Sequence, residues 1–390
     1  MLGISATAVV HAGGHGTAAL WDAVAQGASG LRPNPLDWCD LPCWVGAAPG
    51  VDDPALATHL GEWDCRNHRL AWLALQQQAL RQAVAAARQR HGAHRIGVIL
   101  GTSTSGIRAT EQAYAQRQAT GAWPPGFDYR HTHAVDALCR FSAATLGLQG
   151  PMATLSTACS SSAKVFLLAQ RWIAAGVIDA AVVGGVDSLC LSTLHGFHAL
   201  QLLAEDICRP FDAGRKGLSI GEAAGFMLVE PRPAAVCMSG GGESSDAWHM
   251  STPHPEGVGA QAAMRLALAE AGLAPADIGW VNAHGTATPA NDRSEAAALA
   301  AVFGPHAVPV SSTKGITGHA LAAAGIVEAV ITAAAVEHQQ LPPSANLQQA
   351  DPALAVDLVR QGRPAALRHA MSNNFGFGGS NCALVFSAGA

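Results

Sequence analysis

The sequence predicts an α/β layered fold. Apolar runs of strand length alternate with longer runs of helix length, and glycine and proline punctuate the chain throughout. Composition agrees: 49% of residues are hydrophobic and only 13% charged, which calls for deep burial and excludes the high-charge, low-apolar signature of disorder. A chain of 390 residues is long enough for two ordinary domains or for one large body built from two halves.

The strand candidates are RIGVILG (95–101), ATLST (153–157), DAAVVGGV (179–186), AAGFMLVE (223–230), IGWVNAHG (278–285), AVPVSST (307–313) and NCALVFS (381–387). Several are nearly all apolar, as strands buried on both faces must be. Helical stretches are expected at 69–90, 161–176, 259–273, 293–304 and 319–339, with Gly176 and Gly304 standing where a C-terminal glycine cap falls.

A looser pattern runs over these elements. IGVILGTSTSG (96–106) is similar to IGWVNAHGTAT (278–288), and further on in each half a strand passes through Ser/Thr into a small-residue helix: TLSTACSSSA, then VSSTKGITGHALAAAG. One reading is an internal duplication with a boundary near the Gly/Ser-rich SGGGESS (239–245), giving halves 1–240 and 241–390; the other is that any two βα units share such features.

Charge and cysteine usage narrow the function classes. A formal charge of −5 with 23 Lys+Arg and no basic run leaves no electrostatic footprint for nucleic acid. The opening MLGISATAVVHAGG has no basic residue ahead of its apolar stretch, and the longest apolar runs are broken before 18 residues, so the expectation is an unexported cytoplasmic protein without a membrane span. Nine cysteines spread from Cys39 to Cys382 make a poor disulfide framework. The group Cys39, Cys43, His59, Cys65 and His68 has no zinc-ligand spacing, and no metal is expected.

Cys159 differs from the other eight. In TLSTACSSSAK (154–164) it lies between a strand and a helix, so its sulfur is expected at a helix N-terminus, where free N–H groups and the helix dipole lower a thiol pKa. By itself it reads equally well as a buried structural thiol. Three other stretches bear on the choice. VNAHGTATPANDRSE (281–295) delivers His284 from a strand into a loop. SSTKGITGHALAAAG (311–325) sets Lys314 and His319 around two glycines, with His319 opening a run of alanines, where a helix N-terminus biases an imidazole to its neutral form. MSNNFGFGGSNCALVF (371–386) is a glycine-rich loop before a strand; lacking G-x-G-x-x-G spacing and a following helix, it is no phosphate cradle, but it can aim a backbone N–H at an oxyanion.

STACSSSA, NAHGTATPAND, SSTKGITGHALAAAG and NNFGFGGSN, in that order, resemble the β-ketoacyl-[acyl-carrier-protein] synthases of the type I/II class. The resemblance runs from about residue 95 to the end, supported by CRPFDAGRKGLSIGEAAGFMLVE (208–230); before that it weakens, the family's opening strand being reduced to MLGISATAVV.

The resemblance implies a thiolase-like fold of two duplicated halves in α-β-α-β-α layers. It also implies a homodimer or a heterodimer with a chain-length-factor-like subunit, and no permanently bound cofactor, phosphopantetheine arriving on an acyl carrier protein. In its terms Cys159 is the nucleophile, while His284 and His319 bind the malonyl thioester and stabilise its enolate. The backbone N–H groups of Cys159 and Phe377 form the oxyanion hole, with Phe377 gating the acyl pocket. Lys314 orients the cluster with Glu295 as its partner, Phe375 supports it, and Thr286 and Thr288 contact the pantetheine arm.

Two imidazoles beside a cysteine suit decarboxylative condensation, whereas a Cys-His-Asn set activates water. A chain-length factor lacks the cysteine, a thiolase uses a second cysteine where NNFGFGGSN stands, and synthase III has asparagine at the place of His319. An inactive scaffold and a non-condensing acyltransferase on the same fold are the alternatives. The product belongs to fatty-acid or to polyketide/aryl-polyene synthesis. Arg66, Arg69 or Arg130 are expected to provide a basic patch for an acidic carrier near the pocket mouth, and His131 and His133 to line an interface or mobile segment.

Overall fold

A computed structural model describes residues 1–53 and 56–389. Ten strands form the frame: β1 Leu2–His11, β2 Ile96–Gly101, β3 Met152–Leu155, β4 Ala180–Asp187, β5 Ala223–Glu230, β6 Val236–Ser245, β7 Trp280–Asn282, β8 Pro309–Ser311, β9 His369–Gly376 and β10 Ser380–Ala388. Their spatial order is β3-β2-β4-β5-β1-β6-β10-β9-β7-β8, with a two-residue edge strand, Asp357–Leu358, beyond β8.

The first five strands and the last five repeat one topology. β2 is parallel to β3 and β4, β4 is antiparallel to β5, and β5 to β1. In the second set β7 is parallel to β8 and β9, β9 is antiparallel to β10, and β10 to β6. The sets meet where β1 pairs with β6 at Leu2↔Met238 and Gly3↔Cys237. The faint sequence repeat thus has a structural counterpart in strand order and sense.

Helices Ser161–Ala174 and Ala324–His338 pack together between the two strand sets. Ala324–His338 is buried continuously as far as Val336, which explains its all-round apolar sequence. With the preceding turn, Leu321–His338 is long and apolar enough to cross a membrane, but 89% of that window is buried inside the fold. Helices Arg66–Leu75, Gln78–His91 and Ala137–Leu146 cover one outer face, and Val258–Ala271 and Pro289–Phe303 the other. The result is the expected five-layer α-β-α-β-α arrangement.

Several expectations require correction. MLGISATAVV is not a reduced strand: β1 is ten residues long and central, pairing with both β5 and β6. SGGGESS, near which the boundary between halves is expected, makes up most of β6. Its glycines are there because helix Val258–Ala271 lies directly on the strand: a Cβ on Gly240 would sit 2.5 Å from the Ala267 carbonyl oxygen, and one on Gly242 2.1 Å from that of Ala263. The expected 69–90 helix is two helices, because Gln77 leaves helical geometry and uses its side-chain amide to pair with both the N–H and the carbonyl of Val9. The glycine-rich stretch before the last strand is the Phe377–Gly379 turn of a hairpin whose first strand, β9, composition did not reveal. Gly176 and Gly304 do follow helix ends with positive φ.

Candidate active site

Chemistry-bearing residues gather beyond the carboxyl ends of the parallel strands, where open α/β sheets hold their ligands. Cys159 follows β3, His284 follows β7, Lys314 follows β8, and Phe375 and Phe377 lie at the end of β9.

Cys159 stands on a tight turn. Ala158 takes a left-handed φ of 52°, and Ser160 is the last residue before helix Ser161–Ala174. The flanking hydroxyls lock that turn: Ser161 Oγ donates to the Ala158 carbonyl at 2.6 Å and accepts from the Thr157 N–H at 2.9 Å, while Ser160 Oγ donates to the Thr157 carbonyl at 2.9 Å. The sulfur is buried and lies 3.0 Å from Nε2 of His319. The backbone N–H groups of Phe377 and of Cys159 itself point at it. Contrary to the expectation of a lowered pKa, burial pushes the thiol up to about 11, outweighing Lys314 and the two N–H groups.

The Phe377 turn reaches Cys159 only because residue 376 is glycine. A Cβ there would stand 2.8 Å from the Thr157 carbonyl oxygen and 3.2 Å from the Cys159 nitrogen. Phe377 itself stacks on Phe197, ring centroids 5.4 Å apart at 22°.

The rings of His284 and His319 are perpendicular, 5.3 Å between centroids, and Phe375 lies 5.9 Å from His284. His319 is not at a helix N-terminus. It is held in a β-bridge with Ile220, its N–H donating to Ser219 and its carbonyl accepting from Gly221, five residues before the helix beginning at Ala324. Its neutral form has a different cause: burial first, then the Lys314 charge, hold His319 well below 6.5, and the same two effects plus His319 hold down His284. Lys314 Nζ is 3.3 Å from Nδ1 of His284. An ammonium can only donate, so Nδ1 accepts and the His284 proton sits on Nε2.

Lys314 is not partnered by Glu295. Its ammonium pairs with Glu328, which also accepts from Asn374 Nδ2, all three side chains being buried. Glu295 instead accepts from the N–H groups of His284 at 2.8 Å and Gly285 at 2.7 Å, clamping the loop backbone, and burial pushes its carboxyl up to about 7. Glu328 and Asn374 were missed from sequence. A lone acid in the apolar run GIVEAVITAAAV (325–336) was the available signal, since an unpaired charge is almost never fully buried.

Cys159, His284, His319, Thr286, Thr288, Phe375 and Phe377 line one cavity, and the two threonine hydroxyls are 2.9 Å apart. The thiol and the two imidazoles lie within 4.8 Å of one another, the only metal-compatible grouping among the described residues. The Lys314 ammonium beside His284 opposes a cation there. Arg66 does not serve a surface patch, because its side chain is 10% exposed and bridges Glu222 and Asp52. Arg69 pairs with Asp64, and Arg130 is exposed. His131 is engaged by Asp128 and the Trp63 ring, and His133 by Thr110.

Fold and site together define a thiolase-like protein with a buried Cys-His-His centre. Two family models match: "Beta-ketoacyl synthase, N-terminal domain" over residues 64–235 and "Beta-ketoacyl synthase, C-terminal domain" over residues 234–348. The chain is similar to a 3-oxoacyl-[acyl-carrier-protein] synthase 2 of Coxiella burnetii, 33% identical with 98% of this chain and 97% of that protein covered. It is also similar to nodulation protein E of Rhizobium meliloti, 37% identical with 79% of each covered. Among solved structures, a ketosynthase (ApeO) in complex with its chain length factor (ApeC) from Xenorhabdus doucetiae superposes with a TM-score of 0.92 at 38% identity, covering 99% of this chain and 98% of that one. The chain belongs to the beta-ketoacyl synthase family.

Proposed function

We propose that the protein is a β-ketoacyl-[acyl-carrier-protein] synthase that condenses an acyl group held on Cys159 with malonyl-carrier protein. The observation that carries this reading is the neutral Cys159–His319 pair, 3.0 Å apart, with the His284 ring perpendicular to that of His319 in the same buried cavity.

In the first half-reaction Cys159 attacks the thioester carbonyl of an acylated phosphopantetheine. The thiol proton passes to Nε2 of His319 and on to the departing pantetheine sulfur, leaving acyl-Cys159 and free carrier thiol. The tetrahedral oxyanion is met by the N–H groups of Cys159 and Phe377. In the second, with the sulfur acylated, His319 takes up its Nε2–H tautomer, and the Nε2–H groups of His284 and His319 bind the malonyl thioester oxygen. Carbon dioxide leaves, the enolate develops against two neutral donors that do not quench its carbanion, and that carbon attacks acyl-Cys159 to expel the thiolate. Lys314 holds the His284 tautomer, Glu328 balances its charge, and Glu295 fixes the loop that presents His284. Thr286 and Thr288 line the route of the pantetheine arm, with Phe375 and Phe377 flanking it.

An acyl carrier protein is accordingly the partner that supplies phosphopantetheine, with no resident cofactor. The chain works in the cytoplasm as a homodimer or paired with a chain-length-factor-like subunit, in fatty-acid or polyketide/aryl-polyene synthesis. Its two halves divide in the 231–235 link between β5 and β6, rather than at 240, which lies within β6.

The test is incubation with acyl-carrier protein and carboxyl-labelled malonyl-carrier protein, with Cys159→Ala as control. Carbon dioxide release with a chain two carbons longer is expected, abolished in the variant. Acyl transfer without carbon dioxide would identify an acyltransferase, and no acylation of Cys159 an inert scaffold.

A further inference from the structure

Asp187 ends β4 and is fully buried. Its carboxylate accepts from six donors, every one a neutral N–H or O–H: Thr102 Oγ at 2.7 Å, Ser103 N at 2.9 Å, Ser103 Oγ at 2.5 Å, Thr104 N at 3.0 Å, Thr104 Oγ at 2.9 Å and Ala322 N at 2.8 Å. A carboxylate buried without a cation is costly unless its lone pairs are met, and here six donors converge on them.

Two features show what this arrangement holds. Five donors belong to the 102–104 loop after β2, which continues into Ser105 at a left-handed φ of 43°. The sixth belongs to the Leu321–Ala323 turn, where Leu321 takes φ 51°, a conformation that a branched residue adopts only when its surroundings impose it. That turn begins two residues after His319. His319 is tied on one side to Ser219 and Gly221, and on the other this strained turn, anchored by Asp187, fixes where the chain leaves it.

We propose that Asp187 is a positioning residue that acts through His319: by anchoring the Ala322 amide from the opposite half of the fold, it sets the imidazole against Cys159 and the malonyl thioester. Burial is the main influence on the Cys159 thiol; Lys314 favours its thiolate and Asp187 opposes it, with His284 and His319 the other titratable groups around the sulfur. This inference rests on the condensing reading above.

The test uses Asp187→Asn in the full-length protein, with three readouts. Acylation of Cys159 needs the sulfur and His319, malonyl decarboxylation needs both imidazoles, and the pH dependence of iodoacetamide alkylation needs neither substrate. Both partial reactions use His319, so decarboxylation and acylation are each expected to fall by roughly 10–100-fold, and the alkylation midpoint to move to lower pH. A parallel fall of both partial reactions with an unmoved midpoint would make Asp187 merely structural and overturn the proposal, as would wild-type behaviour. Should Asp187→Asn fail to fold, Ser103→Ala combined with Thr104→Val removes two hydroxyl donors and keeps the charge. A loss of about threefold or more in both partial reactions, with the alkylation midpoint unmoved because the carboxylate stays, is then expected, and unchanged rates would overturn it. Wild-type protein that neither acylates nor decarboxylates would instead sink the condensing reading, while the alkylation arm still reports on Asp187.

Discussion

The sulfur of Cys159 and Nε2 of His319 lie 3.0 Å apart, burial holding the thiol up at about 11 and the imidazole well below 6.5. Both are therefore neutral at pH 7. Because the thiol pKa is raised, thiolate is scarce below it, and alkylation of Cys159 by iodoacetamide should accelerate by about tenfold per pH unit from 7 toward that value. A plateau already at pH 7 would contradict the neutral pair. Replacing His319 by Asn removes the proton acceptor, and acylation by thioester should then slow by roughly 10²–10⁴-fold.

The Lys314–Glu328 pair is buried at both ends. Removing one partner strands the other, at a cost of about 3–5 kcal/mol in urea unfolding. In double-mutant cycles Lys314→Met should couple more strongly to Glu328→Gln than to Glu295→Gln. Stronger coupling to Glu295 would reinstate that residue as the lysine's partner.

Glu295 also has a pH signature. Its folded-state pKa is raised to about 7, so its stabilisation is full below the ordinary value of 4.5 and is lost as pH rises through 7. Unfolding of Glu295→Gln should therefore gain on wild type across pH 4.5 to 7. A variant losing ground over that range would show the opposite shift.

Gly376→Ala places a methyl group against Thr157 and the Cys159 nitrogen, forcing the Phe377 turn away from the sulfur. Loss of one oxyanion donor lowers kcat by about 10²–10³-fold, and KM should change much less. Equal losses in kcat and in thermal stability would point to misfolding of the hairpin instead.

Gly242→Ala tests the contact between β6 and its covering helix. The added methyl meets the Ala263 carbonyl, and overpacking of this kind costs about 1–3 kcal/mol. Calorimetry should register a lower Tm with the Cys159 alkylation profile unchanged.

Much of the fold was legible in local sequence. Strands such as 180–187 and 223–230 are continuous apolar runs, readable because a strand covered on both faces needs apolar residues at every position. β6 and β9 were not readable, and β1 was read only as a reduced opening strand. β1 interleaves Ala, Ser and Thr with its Leu, Ile and Val, β6 carries glycines demanded by a helix contact 20 or more residues away, and β9 is rich in polar residues spent on Glu295 and Glu328.

The sequence by itself determined the residue types of the centre and their placement after strands: Cys159 on a turn before a helix, His284 and Lys314 beyond strand ends, and a glycine that lets Phe377 approach. Tertiary structure alone decided the partners and the protonation states. Glu328 rather than Glu295 meets Lys314, Asp187 reaches across to the turn behind His319, and burial overrides the helix dipole at Cys159. Such outcomes depend on which distant groups share a dry interior, where a few ångströms decide whether an acid pairs with a cation or caps a backbone.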